Sequence, residues 1–346
     1  MRKFLLLMIL LPLLAVPVSA LEFKAPEVPE SGKDLMPYET ESFAEGVWSI
    51  LREALSVLKP RIKTAAVSAF SMIGLSILLS SVKLMPGAQE KVAELIGVVS
   101  VSLMLMGTSN SMVRLASETV TELSEYGKLL FPVLTAAMAA QGGSATSAAL
   151  YTGTLAFDAL LGAVVSGWLV PMVYIYLCIS ILSAATGQEP LGKVKDFSKW
   201  LMTWAMKILL YIFTGYMGIT GVVSGHADAA ALKATKLAIS GMVPVVGGIL
   251  SDTSEAILVG AGVMKSSVGV YGLLSILAVW INPFLKIGLQ YLLLKASYGL
   301  CGIFPTKQTS GLIKDFSGAM GLLLAMTGTV CLFLLISVVC FMKGVG

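Results

Sequence analysis

Apolar residues run along this chain in blocks long enough to cross a bilayer, parted by short polar stretches. Residues 64–84 and 92–113 read as two membrane spans joined by the turn Pro86-Gly87-Ala88-Gln89-Glu90-Lys91. In residues 114–128 the pattern changes. Glu118, Glu122 and Glu125 fall on one side of a helix and Leu115, Val120 and Leu123 on another, which predicts an amphipathic piece. Further apolar runs follow at 129–140, 148–168, 169–186, 201–224, 242–264, 268–281, 284–304 and 316–341. Pro171, the loop at 187–200, an amphipathic connector at 226–241 and the loop at 305–315 punctuate them. The predicted fold is all-α: a polytopic helical membrane protein of about 8–10 membrane-crossing or re-entrant segments.

Two interruptions do not suit uninterrupted helices. Between Gly241 and Pro283 the apolar run is broken by Pro244, Gly247 and Gly248, then by the polar cluster Ser251-Asp252-Thr253-Ser254-Glu255. Gln141-Gly142-Gly143-Ser144 makes a similar break upstream. Irregular backbone at membrane depth persists only where protein or a water-filled cavity satisfies its free N–H and C=O groups. Each break therefore predicts a broken helix or a tight helical hairpin. Half-helix ends at such breaks can face ions or a partner's termini.

The two regions also echo each other. Phe131-Pro132-Val133-Leu134 matches Val243-Pro244-Val245-Val246, and Trp168-Leu169-Val170-Pro171 matches Trp280-Ile281-Asn282-Pro283, both at an offset of 112 residues. Lys195-Asp196-Phe197-Ser198 recurs unchanged as Lys314-Asp315-Phe316-Ser317. The matches keep one order, which predicts an internal duplication of 131–220 and 243–335 within membrane repeats spanning 129–225 and 242–346. Transporter folds are often built from such repeats, with functional sites where the repeats meet.

The amino-terminal region reads differently. Residues 1–20 have a basic start (Arg2, Lys3), a short apolar stretch and the small-residue ending Val18-Ser19-Ala20, the pattern of a signal peptide. Residues 21–63 then form an extracytoplasmic acidic arm followed by an amphipathic helix, ahead of the section at 64–128 that holds the first two spans. Four crossing pieces per repeat would place both Lys-Asp-Phe-Ser loops on the cytoplasmic side, where the positive-inside bias favours their lysines.

Composition sharpens this picture. With 56% hydrophobic residues, 13% charged residues and a mean hydropathy of +0.87, the chain falls outside the soluble globular class. The net charge of +4 is scattered, so nucleic acid is not an expected partner; the lipid bilayer is. The four cysteines show no metal-type spacing and the only histidine is His226, so neither a metal site nor any cofactor is expected. Phosphate-loop, zinc-protease and nucleophile-elbow motifs are absent, and the chain reads as non-enzymatic. Ionisable residues inside apolar runs are the remaining candidates: Asp158, Lys207, Lys286, Asp252 and Glu255. A charge at mid-bilayer costs about 2.5–3.5 kcal/mol on insertion scales, so such groups normally face a bundle interior or water. Lysines can snorkel to an interface, but the short stem of Asp158 cannot. Asp158 paired with Lys207 or Lys286 is thus the predicted buried ion pair or polar pore lining.

The stretch VPVVGGILSDTSEAILVGAGVMKSSVGVYG and the following Trp-Ile-Asn-Pro-x-Leu-Lys (Trp280 to Lys286) resemble the stage III sporulation protein AE family. The resemblance covers the chain from about Phe43 to the carboxyl terminus. It implies membership of a stage III sporulation A complex, with ATPase-like and ring-forming subunits, in the mother-cell membrane around the engulfed forespore. Through those subunits it would join stage II sporulation protein Q from the forespore side. The AE-like subunit would be the permease, export platform or pore component of a secretion-like channel. No catalytic residue carries over from the resemblance. A self-contained secondary transporter of a small solute, or a structural scaffold, would suit the repeats and polar breaks equally.

Overall fold

The computed structural model describes residues 24–37, 42–83, 89–140, 144–219, 267–304 and 307–343. Every regular element among them is helical: α1 (Glu30–Lys33), α2 (Phe43–Lys83), α3 (Glu90–Ala140), α4 (Ser144–Val164), a π turn (Val165–Leu169), α5 (Val170–Thr186), α6 (Glu189–Ile219), α7 (Ser267–Cys301) and α8 (Lys307–Lys343). Five helices among the described residues are long and apolar enough to cross a membrane: Phe43–Lys83, Glu90–Ala139, Ala148–Thr186, Val268–Cys301 and Lys307–Met342. The all-α polytopic expectation holds.

The boundaries between segments differ from the sequence reading, in one consistent way. Pieces expected as separate segments are fused into long helices. The amphipathic helix of the 21–63 region runs straight into the first span as the 41-residue α2, with Pro60 inside it. The second span, the amphipathic piece and the apolar run after it form the single 51-residue α3, with Pro132 inside it. The reason is a shared buried stripe. Val98, Val101, Leu105, Val113, Ala116, Val120, Leu123, Leu130 and Phe131 are all at most 2% exposed, so one face stays apolar while the outer face turns polar halfway along.

Proline does not end these helices either, because neighbouring helices and local adjustments can re-satisfy the freed carbonyls. Around Pro171 the adjustment is visible. Proline has no N–H to offer the carbonyl four residues back and its ring clashes there. Just before it, the Val170 N–H bonds the Val165 carbonyl five residues back, and the chain makes the π turn that links α4 to α5. Pro283, the proline of the other Trp-x-x-Pro motif, lies within continuous α7. Each Trp-x-x-Pro motif thus sits inside a long helical rod, and each Lys-Asp-Phe-Ser motif lies on the helix that follows.

Helices α7 and α8 form the centre. The most apolar stretches of these two are 78% and 83% buried, against 22% for α2. Trp280 packs on Phe284 at 4.3 Å between ring centroids, and Phe213 meets Phe333 edge-on at 4.5 Å. Helices α3 and α8 run in the same direction. Gly97 faces Thr309 near their starts, while Phe131 stacks on Phe341 near their ends. Gly127 is needed between these points, since a Cβ there would come within 2.8 Å of Leu334.

Residues 24–37 are not a detached arm. Val28 and Leu35 are buried, and the backbone of α1 lies so close to α7 that a Cβ on Gly32 would come within 3.0 Å of the Val279 nitrogen. The Ser31 N–H also points at the Glu122 carboxylate of α3, 3.4 Å away. The expected signal peptide (1–20), the connector at 226–241 and the start of the second repeat at 242–266 lie outside the described residues.

Candidate functional site

The two Lys-Asp-Phe-Ser copies meet in space. Helix α5 ends at Gly187, whose left-handed backbone (φ 67°) lets its N–H bond the Ser183 carbonyl at 2.9 Å and turns the chain into α6. The first copy follows on α6 and the second on α8. Lys195 Nζ of the first copy bonds Asp315 Oδ2 of the second at 2.7 Å, with both side chains largely buried. One turn further along α6, Lys199 Nζ reaches Gly318, where a Cβ would meet it at 3.4 Å and the Tyr176 hydroxyl at 3.1 Å. An open cleft of about 270 Å³ lies beside this pair, lined by Ser183, Gln188, Glu189, Lys307 and Gln308 as well as Lys195 and Asp315. The sequence reading used the repeated motif to place both loops on one side. The Lys195–Asp315 bond brings the two motifs into contact, and no ion pair between them follows from that topology argument. The signal was present: identical motifs carrying a cation and an anion in sequence can cross-pair when the helices that bear them pack together.

A second polar site lies at the seam between α3 and α4. Asp158 is 1% exposed and accepts a 2.7 Å hydrogen bond from the Ser124 hydroxyl on Oδ2, while its Oδ1 has no partner among the described residues. The Thr154 hydroxyl, one turn earlier on α4, is also buried without a partner. Among the described residues, Lys128, one turn beyond Ser124, supplies the basic charge acting on Asp158. The π turn begins seven residues after Asp158.

The predicted ion pair is therefore corrected. Neither Lys207 nor Lys286 forms a salt bridge with Asp158, whose contact is a serine hydroxyl on α3. Lys207 is half-buried on α6. Lys286 is half-buried on α7, and the charge acting on it is the like charge of Arg61. Sequence order could not reveal this, because α3 rather than α6 or α7 packs most heavily on α4. Asp252, Glu255, Gly142, Gly143, Pro244, Gly247 and Gly248 lie outside the described residues. Among the described residues no group of three His, Cys, Asp or Glu side chains could hold a metal ion.

Both sites lie at seams between packed helices. What they offer is paired charge at a helix junction and a lone acid inside a helical seam. Both can fix helices relative to one another or respond to charge.

A family model described as "Stage III sporulation protein AE" matches residues 39–344. A curated protein of the same name from Bacillus subtilis (strain 168) is 22% identical over 198 residues, which cover 57% of this chain and 50% of that relative. The alignment thus spans about half the length of the relative it matches. No solved structure matches the chain.

Proposed function

Since the chain belongs to the stage III sporulation protein AE family, we propose that it is a non-enzymatic, multi-pass membrane subunit of the sporulation complex that links mother cell and forespore. Its role there is permease, export platform or pore component of a secretion-like channel needed for forespore development. It resides in the mother-cell membrane around the forespore. It assembles with the ATPase-like and ring-forming subunits of the stage III sporulation A complex and, through them, with stage II sporulation protein Q. The observation that carries this reading is the extent of the family match, which takes in the whole described bundle from α2 to α8. The meeting of the two Lys-Asp-Phe-Ser copies supports a duplicated architecture with a polar junction where the copies join, a common design for transport proteins.

The test is co-purification from sporulating cells. An affinity-tagged copy of this protein should bring down the ring-forming and ATPase-like subunits, and deleting any one of them should abolish its effect on the forespore. Solute flux by the purified protein alone in liposomes would instead favour a self-contained secondary transporter. A tagged protein that supports sporulation yet recovers none of the complex would overturn the proposal.

A further inference from the structure

Along α3 large exposed apolar side chains gather on the amino-terminal half. On α3 they are frequent from Val92 to Met106, with Leu103 71% exposed. From 107 to 128 no large apolar side chain is exposed. Helix α2 exposes Val67, Phe70 and Leu78 in its charge-free second half; its first half also exposes Trp48, Leu55, Val57 and Ile62, but these stand among Arg52, Glu53, Lys59, Arg61 and Lys63.

Charge marks the limits of this girdle on both helices. Helix α2 carries no charged residue between Lys63 and Lys83, and α3 carries none between Glu94 and Arg114. Each charge-free stretch is about 30 Å long at 1.5 Å per residue, close to the thickness of a bilayer's hydrocarbon core at roughly 30 Å. The two stretches are also in register. Lys83 Nζ bonds Glu94 Oε1 at 2.7 Å, and Leu79 lies against Gly97 one turn in. Equal lengths from a shared start bring Lys63 and Arg114 to one height.

Beyond that height the surface is of another kind. Arg114 and Glu118 pair at 3.0 Å with both side chains more than half exposed. The amino-terminal segment 24–37 packs on this part, through Ser31 with Glu122 and Gly32 with Val279. Apart from the single helical turn of α1 it is irregular backbone. Lipid cannot satisfy the free N–H and C=O groups of such a segment. Inside, Val113, Ala116, Val120, Leu123 and Tyr126 remain at most 1% exposed, so this half has its own apolar interior, as a helical bundle in water does.

We propose that, on the face formed by α2 and α3, lipid covers only the part between the Lys83–Glu94 end and the Lys63–Arg114 level. Beyond that level the outer half of α3 and the charged first half of α2 stand in water as a helical head, on the side that carries residues 24–37. The partner of the girdle is bilayer hydrocarbon. Asp158, bonded to Ser124 ten residues past Arg114, belongs to the head.

The experiment is single-cysteine labelling of the full chain in lipid nanodiscs, in a background lacking Cys178, Cys301, Cys331 and Cys340. Thr121→Cys and Glu125→Cys probe the exposed face of the head; Phe70→Cys and Leu103→Cys probe the girdle. A water-soluble maleimide should label the first two at least tenfold faster than the second two, with labelling in denaturant as the reference for each. A fluorophore attached in denaturant before reconstitution should be quenched by brominated lipid chains at the girdle positions and not at the head positions. If a background variant fails to fold, fluorophore-free spin labels at the same four positions in a background retaining the buried Cys301, Cys331 and Cys340 give the same ordering of lipid and water exposure. Head positions that stay dark to the water-soluble reagent, or that brominated lipid quenches, overturn the proposal. So does free labelling of Phe70→Cys and Leu103→Cys.

Discussion

At the scale of single residues, Asp158 is the side chain whose environment decides most. A buried carboxylate with one hydroxyl donor and no cation in contact among the described residues is costly to keep ionised. Ser124→Ala removes the hydrogen-bond donor that the described residues supply to it and is expected to destabilise the protein by about 1–3 kcal/mol, the range for a buried polar group left unsatisfied. Asp158→Asn keeps the shape, and its amide oxygen still accepts from Ser124 without the charge. It should therefore fold at least as well as the parent, and Ser124→Ala should cost less in its presence. Thermal unfolding of the four proteins in one detergent closes this double-mutant cycle. A wild-type-like Ser124→Ala, or an Asp158→Asn that fails to fold, would restore the idea of a charged partner. Should Asp158→Asn fold and assemble yet block sporulation, the acid itself acts in function.

At the scale of elements, the Lys195–Asp315 pair ties α6 to α8, and so ties the two Lys-Asp-Phe-Ser copies together. Both side chains retain some solvent contact, 18% and 13% exposed. Lys195→Ala or Asp315→Ala is therefore expected to cost about 2 kcal/mol, short of the roughly 3–5 kcal/mol for breaking a fully buried pair. The exchange Lys195→Asp with Asp315→Lys should recover part of that loss in the melting temperature; no recovery would mean that the bond does not hold the helices. This pair also shows what the sequence made legible. Helical class, apolar blocks and the repeated motif were all readable, because period and composition are local properties. Segment ends were not. Pro60, Pro132 and Pro283 look like stops, yet each lies inside a helix whose buried stripe continues past it. Partners were not legible either. The lysines proposed for Asp158 were chosen by charge, whereas packing of α4 on α3 selects Ser124.

At the scale of the whole molecule, the long apolar runs predict a stack of membrane segments. On α3 those runs cover two kinds of surface. The inner face is mainly apolar throughout, and the outer face is aliphatic below the Lys63–Arg114 level and polar above it except at Leu129. A substitution on the outer face should therefore be judged by height rather than by apolarity at its site. Leu103→Arg and Phe70→Arg place a charge in the girdle, where insertion scales assign about 2.5–3.5 kcal/mol. They should lower the membrane-inserted yield several-fold. Thr121→Arg and Leu129→Arg lie on the same helix as Leu103, on faces open to solvent, and should leave yield and melting temperature within experimental scatter of the parent. Leu129 is the sharper control, since it is apolar and 60% exposed, as a lipid-facing residue would be. Quantifying carbonate-resistant protein for the four variants checks this. Equal losses at Leu103 and Leu129 would mean that lipid reaches the full length of α3, and the head would then have to be given up.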